Sequence, residues 1–303
     1  MGKVGTIKVR KRNPLLLAVL CVLPVLVLFV IWYTGALGRF GFGRDTATKA
    51  GELSVYFLDV GQGDSTLLTD GNTNILIDTG ADTAERDLVA RLENFGVRHL
   101  DLLILTHPDG DHTGGTDGIL EKITVDRILV PRGDVLLTED AAYRSVLACA
   151  DGAGVPVTSV RAGEVRTVGA LTLEFFAPNS IYYEEINDYS IATRVVFGET
   201  SFLFTGDAGV TSEAEMTEKY GKRLESTVYH AGHHGAATST SEPFLAVVSP
   251  EYAVISCGAG NTYGHPRAET LDLLEKYHVT YFRTDEEGTV ILRSDGKNVR
   301  RGK

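Results

Sequence analysis

Cysteine is scarce in this 303-residue chain: there are three, which excludes a small scaffold stapled by several disulfides. Cys149 and Cys257 could form one bond in an oxidising compartment, but each lies in an apolar segment where a lone thiol is ordinarily just buried. No repeat of fixed length is present, which argues against a solenoid or a propeller. A cationic excess is also missing. Setting aside the five cations of the first 12 residues leaves 24 Lys and Arg against 40 Asp and Glu, a net charge of −16 for the rest. Such a domain does not hold an anionic polymer by bulk electrostatics, so any grip on nucleic acid has to be local and metal-assisted. Long apolar runs are absent with one exception. What remains is an ordinary globular composition, 43% hydrophobic and 23% charged, long enough for one large domain or two small ones.

The exception is residues 15–33, 19 positions interrupted only by Pro24 and long enough to cross a hydrocarbon core. Lys3, Lys8, Arg10, Lys11 and Arg12 precede it and no cation follows soon after, which places the N-terminus in the cytoplasm and exports the remainder. A cleaved signal peptide is the rival, but the apolar stretch is long for one and residues 34–38 make a poor cleavage site. Cys21 follows Leu20 rather than a small residue, unlike a lipoprotein cysteine. The expected organisation is a basic N-terminus and signal anchor over 1–33, a Gly/Thr/Ala-rich tether over 34–51 and a folded domain over 52–303, displayed outside the cell membrane.

Within that domain the stretch Asp101-Leu-Leu-Ile-Leu-Thr-His107-Pro-Asp109-Gly-Asp111-His112-Thr-Gly-Gly115 organises the rest. Residues 102–106 read as a short buried strand. Immediately after it, His107, Asp109, Asp111 and His112 supply four metal-ligand side chains. They could converge from an irregular loop pivoting on Gly110, with Gly114 and Gly115 turning the chain into a helix near 116. Crowding these groups together dry is costly unless a divalent cation supplies the compensating charge. A calcium loop would want oxygen ligands throughout and a closing Glu, which is absent.

Elsewhere the pattern predicts strands at 53–58, 66–69 and 74–77, the last two joined by the turn around Gly71, and a helix over 85–95. Beyond the central stretch come a strand at 127–130, a helix over 139–149, strands at 155–160 and 171–176, and a hairpin of 189–197 with 200–205. Then follow a helix over 212–220, strands at 226–230 and 252–256, a helix over 267–277 opened by Pro266, and closing strands at 280–282 and 289–293. Each half runs from hairpins into strand–helix alternation, suggesting two packed sheets with helices outside. Asp78, the group from His107 to His112, Asp207, the pair His233 and His234, and His265 all lie just after predicted strands, where strand ends can share a cleft. Asp78 and Asp207 can equally be a turn cap and a helix cap. Asp59 and Asp64 either line the cleft or shape a turn.

The signature His107-x-Asp109-x-Asp111-His112 resembles that of the metallo-β-lactamase fold, with Asp in place of the usual second His. Further motifs make the likeness more particular: Asp59-Val-Gly-Gln-Gly-Asp64-Ser, Leu76-Ile-Asp78-Thr-Gly, Phe204-Thr-Gly-Asp207-Ala, Gly232-His-His-Gly235 and Tyr263-Gly-His-Pro266. Taken together over residues 53–295, the set is similar to the C-terminal hydrolase domain of ComEC-type competence proteins and to their stand-alone relatives. The resemblance implies an α/β fold, a four-layer αββα sandwich, with two divalent metal ions at the edge between the sheets. His107 and Asp109 would hold one ion, Asp111 and His112 the other, and Asp207 would bridge them. His233 or His234 would complete the second site, with His233 favoured as the first off its strand. The usual His ahead of the bridging Asp is missing from residues 186–190, so the first site is either open or completed by Asn187 or Asp188. Asp109 hardens that site and admits manganese or magnesium beside zinc.

By the same resemblance Asp111, His234 and His265 form the catalytic set. The two ions acidify a shared water that attacks phosphorus, and the histidines hydrogen-bond a phosphoryl oxygen or protonate the leaving group. The expected function is an exported, membrane-anchored phosphodiesterase acting on single-stranded DNA or a related phosphodiester. With one membrane segment in the chain, the many-helix channel of a DNA translocator is not part of the expectation. The alternatives are a phosphocholine or teichoic-acid esterase, a lactone or β-lactam hydrolase, and a metal-stabilised binding module without catalysis; fold alone does not choose among them.

Overall fold

The structure, a computed structural model, describes residues 48–49 and 51–302, which belong to the compact unit Ala47–Lys303. The anchor expected over 15–33 and nearly all of the tether lie outside the described residues. Among those described, no helix is long and apolar enough to cross a membrane.

Strands are numbered in chain order. In the first half β1 is Leu53–Phe57, β2 Thr66–Thr69, β3 Asn74–Ile77, β4 His99–Leu100, β5 Leu102–Ile104, β6 Thr124–Val125, β7 Ile128–Pro131 and β8 Val157–Val160. In the second half β9 is Val165–Val168, β10 Leu171–Ala177, β11 Ala192–Phe197, β12 Thr200–Phe204, β13 Val228–His230, β14 Tyr252–Ile255 and β15 Thr280–Arg283. The chain then returns to the first sheet with β16, Val290–Ser294, and β17, Val299–Arg301. One sheet has eight strands in the order β17-β16-β1-β2-β3-β5-β7-β8, and the other has seven in the order β15-β14-β13-β12-β11-β10-β9.

Three apolar layers follow from this arrangement. Leu53, Val55 and Phe57 of β1 meet Phe175, Phe202 and Phe204 between the sheets, while Tyr56 and Leu58 face the other way onto helices. Both faces of β1 are therefore buried, which is why its sequence alternates so imperfectly. The helices Glu85–Asn94, Thr116–Lys122 and Ala141–Ala153 cover the outer face of the first sheet through Leu88, Leu92, Ile119 and Val146. The helices Val210–Tyr220, Glu242–Val248 and Ala268–Lys276 cover the second through Met216, Phe244, Leu245 and Leu274. The expected hairpin of β2 and β3 is closed by Asp70, whose Oδ1 accepts from Asn72 N at 2.9 Å and Thr73 N at 2.7 Å.

What positions the site is the direction of the central strands. β3, β5 and β7 run parallel in one sheet, as do β12, β13 and β14 in the other. Both sets end at one edge of the sandwich, tied across by Ile191 N donating to Thr106 O at 2.9 Å. Two expectations are corrected here. The stretch after His107 is not an irregular loop, because Gly110–Thr113 forms one helical turn with Thr113 N and Gly114 N closing back on Asp109 O and Gly110 O. Nor do Gly114 and Gly115 supply a sharp turn: their φ values, −60° and −86°, suit any residue. They are glycine because a Cβ would stand 2.4 Å from Asp82 N at one and 2.5 Å from Thr79 O at the other. Cys149 and Cys257 are free thiols, and burial pushes the Cys257 thiol up to about 12.

Candidate metal centre

Asp78 leaves β3 in the left-handed region, φ 59°, with its side chain buried beneath the site. Its Oδ1 accepts from Thr106 N at 2.8 Å, and its Oδ2 accepts from Thr106 Oγ1 at 2.7 Å and His112 Nδ1 at 2.8 Å. An ionised carboxylate can only accept, so His112 keeps a proton on Nδ1, and it is Nε2 that would give up its proton and offer a lone pair to a cation in the cleft. That Nε2 lies 3.2 Å from Asp207 Oδ1 and 3.3 Å from His234 Nε2. The same logic orients His234: its Nδ1 donates to Ser256 O at 3.0 Å with Asp64 Oδ1 beside it at 3.2 Å, which frees Nε2. Asp111, one residue before His112 on the helical turn and so about 100° round it, sends Oδ2 to within 3.2 Å of His234 Nε2.

On the other side of Asp207, His107 Nε2 stands 3.7 Å from Asp207 Oδ2 and 3.7 Å from Asp109 Oδ2. His233 Nε2 reaches Asp207 Oδ2 at 3.5 Å, its Nδ1 being paired with Thr238 Oγ1 at 3.0 Å. Being first off the strand favoured His233 for the group around Asp111 and His112, but in the structure it is His234 whose Nε2 lies in that group. Both residues are left-handed, φ 51° and 55°, so the chain coils tightly enough to aim two consecutive rings at one carboxylate.

The electrostatics match. Burial disfavours the ionised carboxyl of Asp207, but His112, His234 and His107 more than offset it and hold it well below the ordinary range. Burial likewise opposes charge on His112 and His234. Asp207 and Asp78 raise the first well above its usual value, and Asp207 and Asp64 raise the second. A divalent cation would displace those imidazolium protons. Asp64 itself is brought down to about 2 by His230 and His234 against the opposing effect of burial.

These residues fit a metal. His107 Nε2 is buried without a hydrogen bond. The donor atoms of Asp64, His112, Asp207 and His234 all lie within 4.8 Å of one another. Ligands bound at about 2.1 Å in a tetrahedral array stand roughly 3.4 Å apart, and the separations around Asp207, 3.2–3.7 Å, bracket that value.

Of the other candidates, His265 lies at the rim, its ring 5.7 Å from that of His233 and 6.2 Å from that of His234, with Nδ1 buried and unpartnered. Burial, then the charges of His234 and His233, hold its imidazole below the usual value and so neutral near pH 7. Asp59 stays in its turn, Oδ1 accepting from Gly61 N at 3.2 Å. Asp188 is committed elsewhere, since its Oδ1 accepts from Gly209 N at 3.0 Å and Ser212 N at 3.4 Å at the start of the helix Val210–Tyr220. Asn187 Oδ1 is buried and unpartnered.

Three contributors escaped the sequence reading. His230 ends β13 with Nδ1 3.6 Å from Asp64 Oδ2 and Nε2 2.8 Å from Ser256 Oγ. Ser190 Oγ accepts from Asp207 N at 3.1 Å. Glu213, buried in the helix Val210–Tyr220, accepts from Thr240 N at 2.6 Å and Ser241 N at 2.8 Å, fixing the segment that follows the histidine pair. A histidine at a strand end, opposite an acid in a glycine turn, was the one signal available for them.

The fold and the histidine–carboxylate group at its edge define the class. A family profile described as the metallo-beta-lactamase superfamily matches residues 58–259, and the chain belongs to that superfamily. More particularly, it is 33% identical over 285 residues to competence protein ComA of Neisseria gonorrhoeae, covering 91% of this chain and 38% of that protein. It is 31% identical over 260 residues to ComE operon protein 3 of Bacillus subtilis, covering 80% of this chain and 33% of that protein. The resemblance to ComEC-type competence proteins is thus met, and the chain spans little more than a third of the length of these relatives. Among solved structures, CmlA, a diiron β-hydroxylase from Streptomyces venezuelae, gives a TM-score of 0.54 at 16% identity over 84% of this chain and 55% of that chain, a likeness of fold.

Proposed function

We propose that the chain is a two-metal phosphodiesterase acting on single-stranded DNA or a closely related phosphodiester, displayed outside the cell on an N-terminal anchor. The observation that carries the reading is the buried His107 Nε2, without a hydrogen bond, facing Asp207 within a ring of imidazoles and carboxylates at ligand spacing. His107, Asp109 and the Asp207 carboxylate are assigned to one ion, with the buried, unpartnered Asn187 Oδ1 a candidate substitute for the missing histidine. Asp111, His112, His234 and the same carboxylate are assigned to the other. His233 stands against Asp207 on the solvent side. Zinc or manganese, and then magnesium, suit this mixed hard set. Such ions supply an acidified water and charge stabilisation at phosphorus.

The chain's own residues do the rest. Asp78 and Thr106 lock the His112 tautomer, and Asp64 with Ser256 locks that of His234. Neutral His265, at the rim, is placed to donate a hydrogen bond to a phosphoryl oxygen. Beyond its first 12 residues the chain carries a net charge of −16, and on that acidic background the two ions would be the anion-attracting point. A phosphodiester answers that field better than a neutral β-lactam amide does. A flexible single strand can thread one phosphate into the cleft, whereas a duplex meets repulsion over a long footprint. The competence naming of ComA supports a nucleic-acid substrate.

The test is a screen of bis-p-nitrophenyl phosphate, single-stranded and duplex DNA, a lactone and nitrocefin, each with zinc, manganese and magnesium. The expected result is manganese-stimulated cleavage of the single strand, abolished by chelator and by His107→Ala. Turnover of lactone or nitrocefin with no phosphodiester cleaved under any of the three ions overturns the reading.

A further inference from the structure

The segment between β14 and the helix Ala268–Lys276 carries a ring that the metal centre does not use. Tyr263 is 61% exposed, although the site beside it is buried. Its ring lies against that of His265, centroids 5.7 Å apart and planes 24° apart, and His265 lies nearly parallel to His234 at 6.2 Å and 27°. The three rings form a staircase from the ligand group out to solvent, each step within the range of offset stacking.

The top step is held rigidly. Asn261 Nδ2 donates to Gly258 O at 2.9 Å and His265 O at 2.6 Å, and Asn261 Oδ1 accepts from His265 N at 3.0 Å, so one side chain ties both ends of the segment. Gly264, φ 71°, makes the left-handed step between the two rings. Arg267 comes close behind: a Cβ on Gly264, the residue after Tyr263, would stand 3.3 Å from its Nη1, which puts an exposed guanidinium at that step of the chain.

We infer that Tyr263 is the stacking platform for the unpaired nucleobase next to the scissile phosphate, with Arg267 on the adjoining phosphate. The inference rests on the phosphodiesterase reading and narrows its substrate to strands whose bases are free to stack. A base in a duplex is already stacked and cannot take the step, so single-strand preference has a specific source in this ring. Base–aromatic stacking of this kind changes binding by roughly 5- to 100-fold per base.

The experiment uses the full chain loaded with manganese and two oligodeoxynucleotides, one of thymidines and one of the same length built from abasic tetrahydrofuran units. Tyr263→Ala is expected to raise KM for the thymidine strand by roughly 5- to 100-fold over wild type. On the abasic strand the ratio should fall towards one, and Tyr263→Phe should behave as wild type does on both. Independently of turnover, a cleavage-resistant phosphorothioate single strand carrying 2-aminopurine should lose fluorescence on binding the manganese-loaded wild type and keep it on binding Tyr263→Ala. Equal losses on both strands would make Tyr263 a cover for His265 rather than a platform, and unchanged quenching by Tyr263→Ala would refute stacking. If wild type cleaves neither strand under any of the three ions, the phosphodiesterase reading itself fails and the platform falls with it.

Discussion

Replacing Asp78 by Asn isolates one proton. Asn tolerates the left-handed backbone that Asp78 adopts at φ 59°, and it has nearly the same volume, so the turn after β3 is left alone. What changes is the donor count. Asp78 accepts three hydrogen bonds, from Thr106 N, Thr106 Oγ1 and His112 Nδ1, at 2.7–2.8 Å. Asn can keep the backbone donor on its oxygen, and Thr106 can turn its hydroxyl round, but the amide NH₂ then faces Nδ1 of His112. The imidazole must move its proton to Nε2, the atom that points at Asp207. Loss of one charge-assisted bond and weakening of another in a buried setting costs about 2–4 kcal/mol. For a domain of this size that is roughly 5–15 °C in Tm. Metal affinity should fall by about 10- to 100-fold, as expected when the partner of a ligating histidine is lost. Competition against a chromogenic chelator, with thermal unfolding of the metal-free and loaded protein, reads both quantities. A variant that unfolds earlier yet binds metal as wild type does would refute the tautomer argument while sparing the packing argument.

Asp207→Asn keeps the volume but removes the shared charge, so metal content should drop towards one ion per chain or less and hydrolysis by at least roughly a hundredfold while the circular dichroism spectrum persists. Full activity would reduce Asp207 to a helix cap. Burial pushes the Glu213 carboxyl up to about 7 from an ordinary 4.5, so between these values the folded chain holds a proton that the unfolded chain has lost. Its contribution is fully present below pH 4.5 and is lost as pH rises through about 7. Relative to Glu213→Gln, wild type should therefore lose about 3 kcal/mol across that window in urea titrations, whereas parallel stability profiles would contradict it. Finally, the basic flank ahead of residues 15–33 leads us to expect the folded domain to be cleaved by protease added to intact cells and to stay with membranes through a high-salt wash. Full-length protein in the cytosol would end that expectation.

Strand ends were the legible part of this chain. Asp78, His107, Asp207 and His233 each follow a short apolar run, and period and turn chemistry located those runs to within a residue or two. The hairpin at Gly71 was visible because Asp and Asn flank a glycine. Less legible was anything decided by the partner across the sandwich. The choice between His233 and His234 depends on left-handed backbone at both positions and on Asp111, which comes from the other sheet. Asp188 reads as a ligand substitute until Gly209 N and Ser212 N are seen to take its oxygen. The edge strand Val165–Val168 has its first valine 56% exposed and no buried face to announce it, and Glu242–Val248, with Pro243 in its first turn, is too short for helical periodicity to emerge. Glu213 looked like any acid on a helix, because nothing local marks the two amides it accepts from.

The common edge of the two sheets has a mechanical consequence. His107, Asp111 and His112 follow a strand of the first sheet, while Asp207, His233 and His234 follow strands of the second, about one hundred positions further along. An ion gripped by both sets is a cross-link between halves of the sandwich, closing a loop of about one hundred residues. A covalent bridge over that span restricts the unfolded chain by roughly 4–5 kcal/mol. In a chain with almost no cysteine, the proposed metal centre would double as its staple, one that a chelator can pull and a metal supply can replace.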